Sequence, residues 1–141
     1  MKPVIDHIQI TVKDMGVALP FYDKLMPLLG FDLENRTNAV VQSHEFHVVE
    51  YVHPQLAFGI NSPRERFAQE TVHRRKPGAL HHLAFKVESK AEVNRLAAEL
   101  ARIGANIVDG PGLFPQHGLD YYAVFFKDPD GIKYEIVCSG A

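Results

Sequence analysis

Ile5-Asp6-His7-Ile8-Gln9-Ile10-Thr11-Val12 and Leu80-His81-His82-Leu83-Ala84-Phe85-Lys86-Val87 carry one pattern twice. In each stretch a histidine is followed by apolar residues at the first, third and fifth positions after it. Alternation with a period of two belongs to a strand that buries one face. A repeat of this kind decides the architecture, because each copy brings the same supersecondary unit.

A helix signal follows each copy. Ser89 and Glu92 have the spacing of a capping box, and Val93, Leu96, Leu100 and Ile103 follow at helical spacing before Gly104. In the first copy Asp14 can cap, and Val17, Phe21, Leu25, Leu28 and Leu29 form the apolar stripe that Gly30 ends. Pro20 is awkward inside a helix, so the regular helix is expected to begin a turn later than Asp14 suggests. Strand-like segments come next, at residues 31–34, 47–52 and 56–60 in the first half. In the second half they are 105–108, 121–126 and 132–137. Asp128-Pro129-Asp130-Gly131 joins the last two as a strong turn signal. The order β-α-β-β-β occurs twice. It predicts a single α+β domain over residues 1–141, with modules at about 5–60 and 80–138, curved mixed sheets and helices on the outer face. Residues 61–78, with Pro63, Pro77 and clustered charge, read as the connection.

Composition narrows the function. The 141 residues hold 15 Lys plus Arg against 17 Asp plus Glu, a net charge of -2, so no positive excess draws nucleic acid. No apolar run has membrane-spanning length, and the one cysteine, Cys138, excludes an internal disulfide. A cytoplasmic protein is expected.

Strand parity then sorts the ionisable groups. Ile8, Ile10 and Val12 share the face that packs under the helix, which sends His7, Gln9 and Thr11 to the other. The same rule places His82 opposite Leu83, Phe85 and Val87, and Glu135 opposite Tyr134, Ile136 and Cys138. Singly, each of these reads as an ordinary polar residue on a sheet. Together, two imidazoles and one carboxylate on equivalent uncovered faces point to a divalent metal site. If the turn after Phe126 closes a four-residue loop, Val124 lies opposite Glu135 and Tyr122 points into the same cavity as a catalytic candidate. A register shift of one residue sends Tyr121 there instead.

The chain resembles the vicinal oxygen chelate superfamily of glyoxalases, extradiol dioxygenases, fosfomycin resistance enzymes and bleomycin resistance proteins. The resemblance is carried by Asp6-His7-Ile8, Phe21-Tyr22 before Leu29-Gly30-Phe31, His82-Leu83-Ala84-Phe85, and Asp128-Pro129-Asp130-Gly131 through Tyr134-Glu135. It implies metal ligands at His7, His82 and Glu135, with a fourth position within Leu56-Ala57-Phe58-Gly59-Ile60. Phe58 is the best match there, and none of the five side chains can bind a metal. Glyoxalase I resembles this scaffold but has a carboxylate at that point, so the departure argues against that activity. Phe58 and Gln9 are substrate-contact candidates.

The resemblance implies a metal-dependent enzyme that chelates a small substrate through adjacent oxygens, with dioxygenase-like or lyase/isomerase chemistry. The ion is Fe, Mn, Zn, Co or Ni, and a homodimer is expected. Two other readings stay open: a metal-free drug- or metabolite-binding protein resembling the bleomycin resistance proteins, and a fosfomycin resistance type of enzyme.

Overall fold

The computed structural model describes residues 1–140, which gather into two compact units, residues 1–70 and residues 71 onward. In the first unit β1 (His7–Thr11) leads into α1 (Met15–Leu28), then β2 (Thr37–Val41), β3 (Phe46–His53) and β4 (Leu56–Asn61). In the second, β5 (Leu83–Lys86) leads into α2 (Lys90–Arg102), then β6 (Asn106–Leu113), β7 (Tyr122–Lys127) and β8 (Lys133–Cys138). Each unit forms one open mixed sheet, with orders β1-β4-β3-β2 and β5-β8-β7-β6. The first strand of each unit runs parallel to the last and the other pairings are antiparallel. Among the described residues no helix is long and apolar enough to cross a membrane.

The local reasons match the residues. Ser89 caps α2 by accepting from the Glu92 amide, and Val93, Leu96, Ala97 and Leu100 are its buried face. α2 packs on β6, β7 and β8. The first helix starts at Met15, with Asp14 accepting from the Gly16 amide, rather than a turn later. Pro20 is accommodated because the residue four before it, Gly16, is exposed and water can satisfy its freed carbonyl. The buried stripe of α1 is Ala18, Phe21, Tyr22, Leu25 and Met26, so Val17 turns outward and Met26 inward relative to the expected set.

Two departures concern strands. β6 runs on to Leu113, well past the expected 105–108, through a ladder with register shifts between Ile107 and Gly112. Gly110 permits this: its φ is +76°, and a Cβ there would lie 2.5 Å from the Ala123 carbonyl oxygen. The second departure sets the geometry of the site. Asp128 Oδ1 accepts from the amides of Asp130 at 2.9 Å and Ile132 at 2.8 Å, which keeps Ile132 inside the turn. The ladder therefore opens at Lys127 opposite Lys133, and Phe125, not Val124, faces Glu135.

Candidate metal centre

That register divides the second sheet cleanly. Tyr122, Val124 and Phe126 pair with Cys138, Ile136 and Tyr134 on the α2 side, where the Tyr122 hydroxyl donates to Asn94 Oδ1 at 2.6 Å. Tyr122 is thus held by the helix and does not share the face of Glu135. The open face carries Ala123, Phe125, Glu135 and Val137, joined by Phe114 and Tyr121. The five-residue turn thus gives Tyr121, and not Tyr122, the face of Glu135.

Glu135 is 1% exposed, although parity assigned it to an uncovered face; Phe114, Phe125 and Val137 build an apolar wall around that side of the sheet. A buried carboxylate needs strong partners. The Tyr121 hydroxyl donates to Oε1 in a very short hydrogen bond, and His82 Nε2 lies 3.4 Å from Oε2. Burial and then this contact with Glu135 push the Tyr121 phenol up to about 12. The His117 ring sits against Tyr121 with centroids 5.2 Å apart.

His82 stands just before β5, at the mouth of the same face, with its side chain 36% exposed. Its Nδ1 lies 2.8 Å from His81 Nδ1, so one ring donates to the other. Desolvation, then the positive field of His82, Arg74, Lys133 and Arg75, lowers the His81 pKa. His81 is therefore the residue that orients His82. The first unit repeats the device with different chemistry. His7 Nδ1 lies 2.6 Å from Asp6 Oδ1, a contact that raises the His7 pKa. In both repeats the preceding side chain holds Nδ1 and leaves Nε2 as the nitrogen for a ligand, which is how ligating imidazoles are commonly supported.

Phe58 lies elsewhere. It is 1% exposed and stacks on Tyr22 of α1, with centroids 6.3 Å apart. The residue that shares the open face is Gly59, opposite Gln9, while His7 pairs with Ala57. The fourth position of the resemblance is therefore Gly59. Gln9 is exposed on that face, with its Oε1 accepting from Asn61 Nδ2 at 3.1 Å.

Among the described residues no three His, Cys, Asp or Glu side chains stand together as a ready metal cluster. The pair His82–Glu135 nevertheless fits an ion. Two atoms each about 2.1 Å from one metal, at tetrahedral to octahedral angles, lie roughly 3.0–3.4 Å apart. His82 Nε2 and Glu135 Oε2 have that separation. When His82 Nδ1 donates to His81, the lone pair on Nε2 faces a carboxylate, an arrangement that a cation between them relieves.

Residues 4–136 match the family model for the Glyoxalase/Bleomycin resistance protein/Dioxygenase superfamily. The uncharacterised protein YqjT of Bacillus subtilis is 29% identical over 133 residues, which are 93% of this chain and 95% of that protein. A candidate glyoxalase from Bacillus halodurans superposes with a TM-score of 0.77 at 28% identity, covering 98% of this chain and 97% of its own. The fosfomycin resistance protein FosX of Listeria monocytogenes, crystallised with Mn(II) and sulfate, has the same fold at a TM-score of 0.66 and 14% identity. That alignment covers 99% of this chain and 95% of FosX.

Proposed function

Because the chain belongs to the glyoxalase/bleomycin resistance protein/dioxygenase superfamily, we propose that it is a metal-dependent enzyme acting on a small molecule with adjacent oxygen atoms. His82 and Glu135 hold a divalent ion, and His7, the equivalent residue of the other repeat, completes the set. The protein acts as a homodimer. The observation that carries this reading is the buried Glu135 carboxylate, 3.4 Å from an imidazole nitrogen whose partner nitrogen is already engaged. Two imidazoles and one carboxylate suit Fe, Mn, Zn, Co or Ni; the Mn(II) of FosX on this fold makes manganese the first ion to try.

When bound, such an ion polarises or clamps adjacent oxygens of a substrate as a Lewis acid and template. The chain's own groups do the rest. Tyr121 holds one oxygen of Glu135 and leaves the other toward His82. His81 and Asp6 fix the tautomers of His82 and His7. Phe114 and Phe125 exclude water from the carboxylate side of the face. The chemistry is dioxygenase-like or of the lyase/isomerase kind, and its setting is the cytoplasm.

Elemental analysis of unsupplemented protein tests the reading. Wild type should carry a transition metal near one equivalent per chain, and His82→Ala should carry almost none. Full retention by the variant refutes the ligand assignment.

A further inference from the structure

The first unit departs from the second at one place on its open face, and the departure leaves a pattern of hydrogen-bonding groups. Ala84 pairs with Glu135 on β5 and β8, whereas Gln9 pairs with Gly59 on β1 and β4. Small and large residues have changed strands. A Cβ on Gly59 would lie 2.8 Å from Gln9 Cγ, so the glycine makes room for the Gln9 side chain to lie across it. Where the second unit presents a carboxylate, the first presents a carboxamide.

That carboxamide is not alone. Asn61 Nδ2 donates to Gln9 Oε1, and Asn61 Oδ1 is buried with no hydrogen-bond partner among the described residues. A buried acceptor without a donor is costly and calls for one from outside the protein. The Gln9 amide N–H groups remain beside it. Either orientation of the two amides leaves one acceptor and one donor, so the pattern does not depend on which end of each group is nitrogen. Thr11 pairs with Asn61 and continues the same face into a cavity of about 350 Å³. Phe46 and Phe67 contribute apolar walls to it, and Arg64 a cation. Among the described residues the Arg64 side chain makes one polar contact, with Glu45 at 3.4 Å, which leaves most of its five N–H donors open. Thr11 is four residues along the strand from His7, about 13 Å at roughly 3.3 Å per residue.

We propose that Gln9, Asn61 and the Arg64 cavity form a substrate-recognition subsite for a hydroxylated aromatic carboxylate. The ligand's hydroxyl donates to Asn61 Oδ1 and accepts from Gln9, its ring lies between Phe46 and Phe67, and its carboxylate pairs with Arg64. The volume suits one ring with a short acidic arm. A substrate that also reached His7 would be about 13 Å long, well beyond a three-carbon compound. Only the assignment of this ligand to the substrate rests on the proposed enzymatic function; the binding itself does not.

The probes are 4-hydroxyphenylacetate and phenylacetate, titrated into the purified protein. The side-chain amide resonances of Gln9 and Asn61 are the readout, and metal content is measured on the same sample. The hydroxylated acid should shift both amides and bind at least about 10-fold more tightly than its deoxy analogue, because the deoxy compound leaves the buried acceptor unsatisfied. Asn61→Leu should remove that preference. Arg64→Gln, at an exposed position, should weaken both acids with the preference intact. Equal affinity for the two acids, or no movement of either amide at millimolar probe, overturns the subsite. A hydroxyl preference in protein that holds no metal leaves the subsite standing and sinks the metal reading; bound metal without the preference does the reverse.

Discussion

Removing the Tyr121 hydroxyl tests whether Glu135 is a held ligand or an ordinary buried acid. Among the described residues the phenol is the only hydroxyl donor to this 1% exposed carboxylate, and His82 Nε2 at 3.4 Å is too far for a strong hydrogen bond. Hydrogen bonds to charged groups contribute about 1.5–3 kcal/mol, and Tyr121 is itself part-exposed, so Tyr121→Phe should cost about 2 kcal/mol without metal. A domain of this size loses roughly 2–4 °C per kcal/mol, which predicts a Tm lower by about 4–8 °C. With saturating Mn(II) the deficit should widen by about 1.4 kcal/mol, because a variant that binds the ion about 10-fold more weakly gains that much less stability from it. Apparent Mn(II) affinity should fall about 10-fold, the scale of an outer-sphere partner. Thermal melts with chelator and with saturating Mn(II), together with a direct Mn(II) titration, supply all three values. Tyr122→Phe is the matched control. Its hydroxyl meets Asn94 at the surface, so it should cost about 1 kcal/mol or less and leave metal binding unchanged. Equal effects of the two variants, or an unaltered melt for Tyr121→Phe without metal, would refute the register argument and the role of Glu135 with it.

Phe58→Ala should destabilise the chain by about 3–5 kcal/mol while metal content per folded protein stays at the wild-type level, since Phe58 packs against Tyr22 and not at the centre. Denaturant titration and elemental analysis read the two halves of that statement. Alkaline pH should destabilise the fold through its raised phenols. Tyr121 is pushed from 10 to about 12, and Tyr51, buried and donating to Asp23 at 2.8 Å, is pushed up further. Both favour the protonated form in the folded state, so their contribution is complete below pH 10 and is lost as pH rises toward and through the folded values. Urea midpoints should fall from pH 10 upward, and less steeply in Tyr51→Phe.

The fold was legible because its signals are periodic. A histidine plus alternation, followed by a cap and a helical stripe, occurs twice, and the pleat alone assigns His7, His82 and Glu135 to one kind of face. Hydrogen-bonded detail was less legible. Whether Tyr121 or Tyr122 joins Glu135 depends on the number of residues the turn retains, and that is decided by two amides reaching the Asp128 carboxylate. The contact of His81 with His82 carries no periodic signal, because His81 precedes β5 and is not bound by its pleat. Gly59 carries no chemical signal of its own; only its register beside Gln9 reveals that it stands where the other repeat has Glu135.

One acidic side chain at a hairpin thus acts as a selector for what lies ten or so ångströms away. With Asp128 gripping two amides, the odd-numbered residues of β7 look toward the open face and the even-numbered ones toward α2. Lengthening or shortening that loop by a single residue would exchange the two sets wholesale. New reactivity could then arise from an indel at the rim while the ligands themselves stayed untouched.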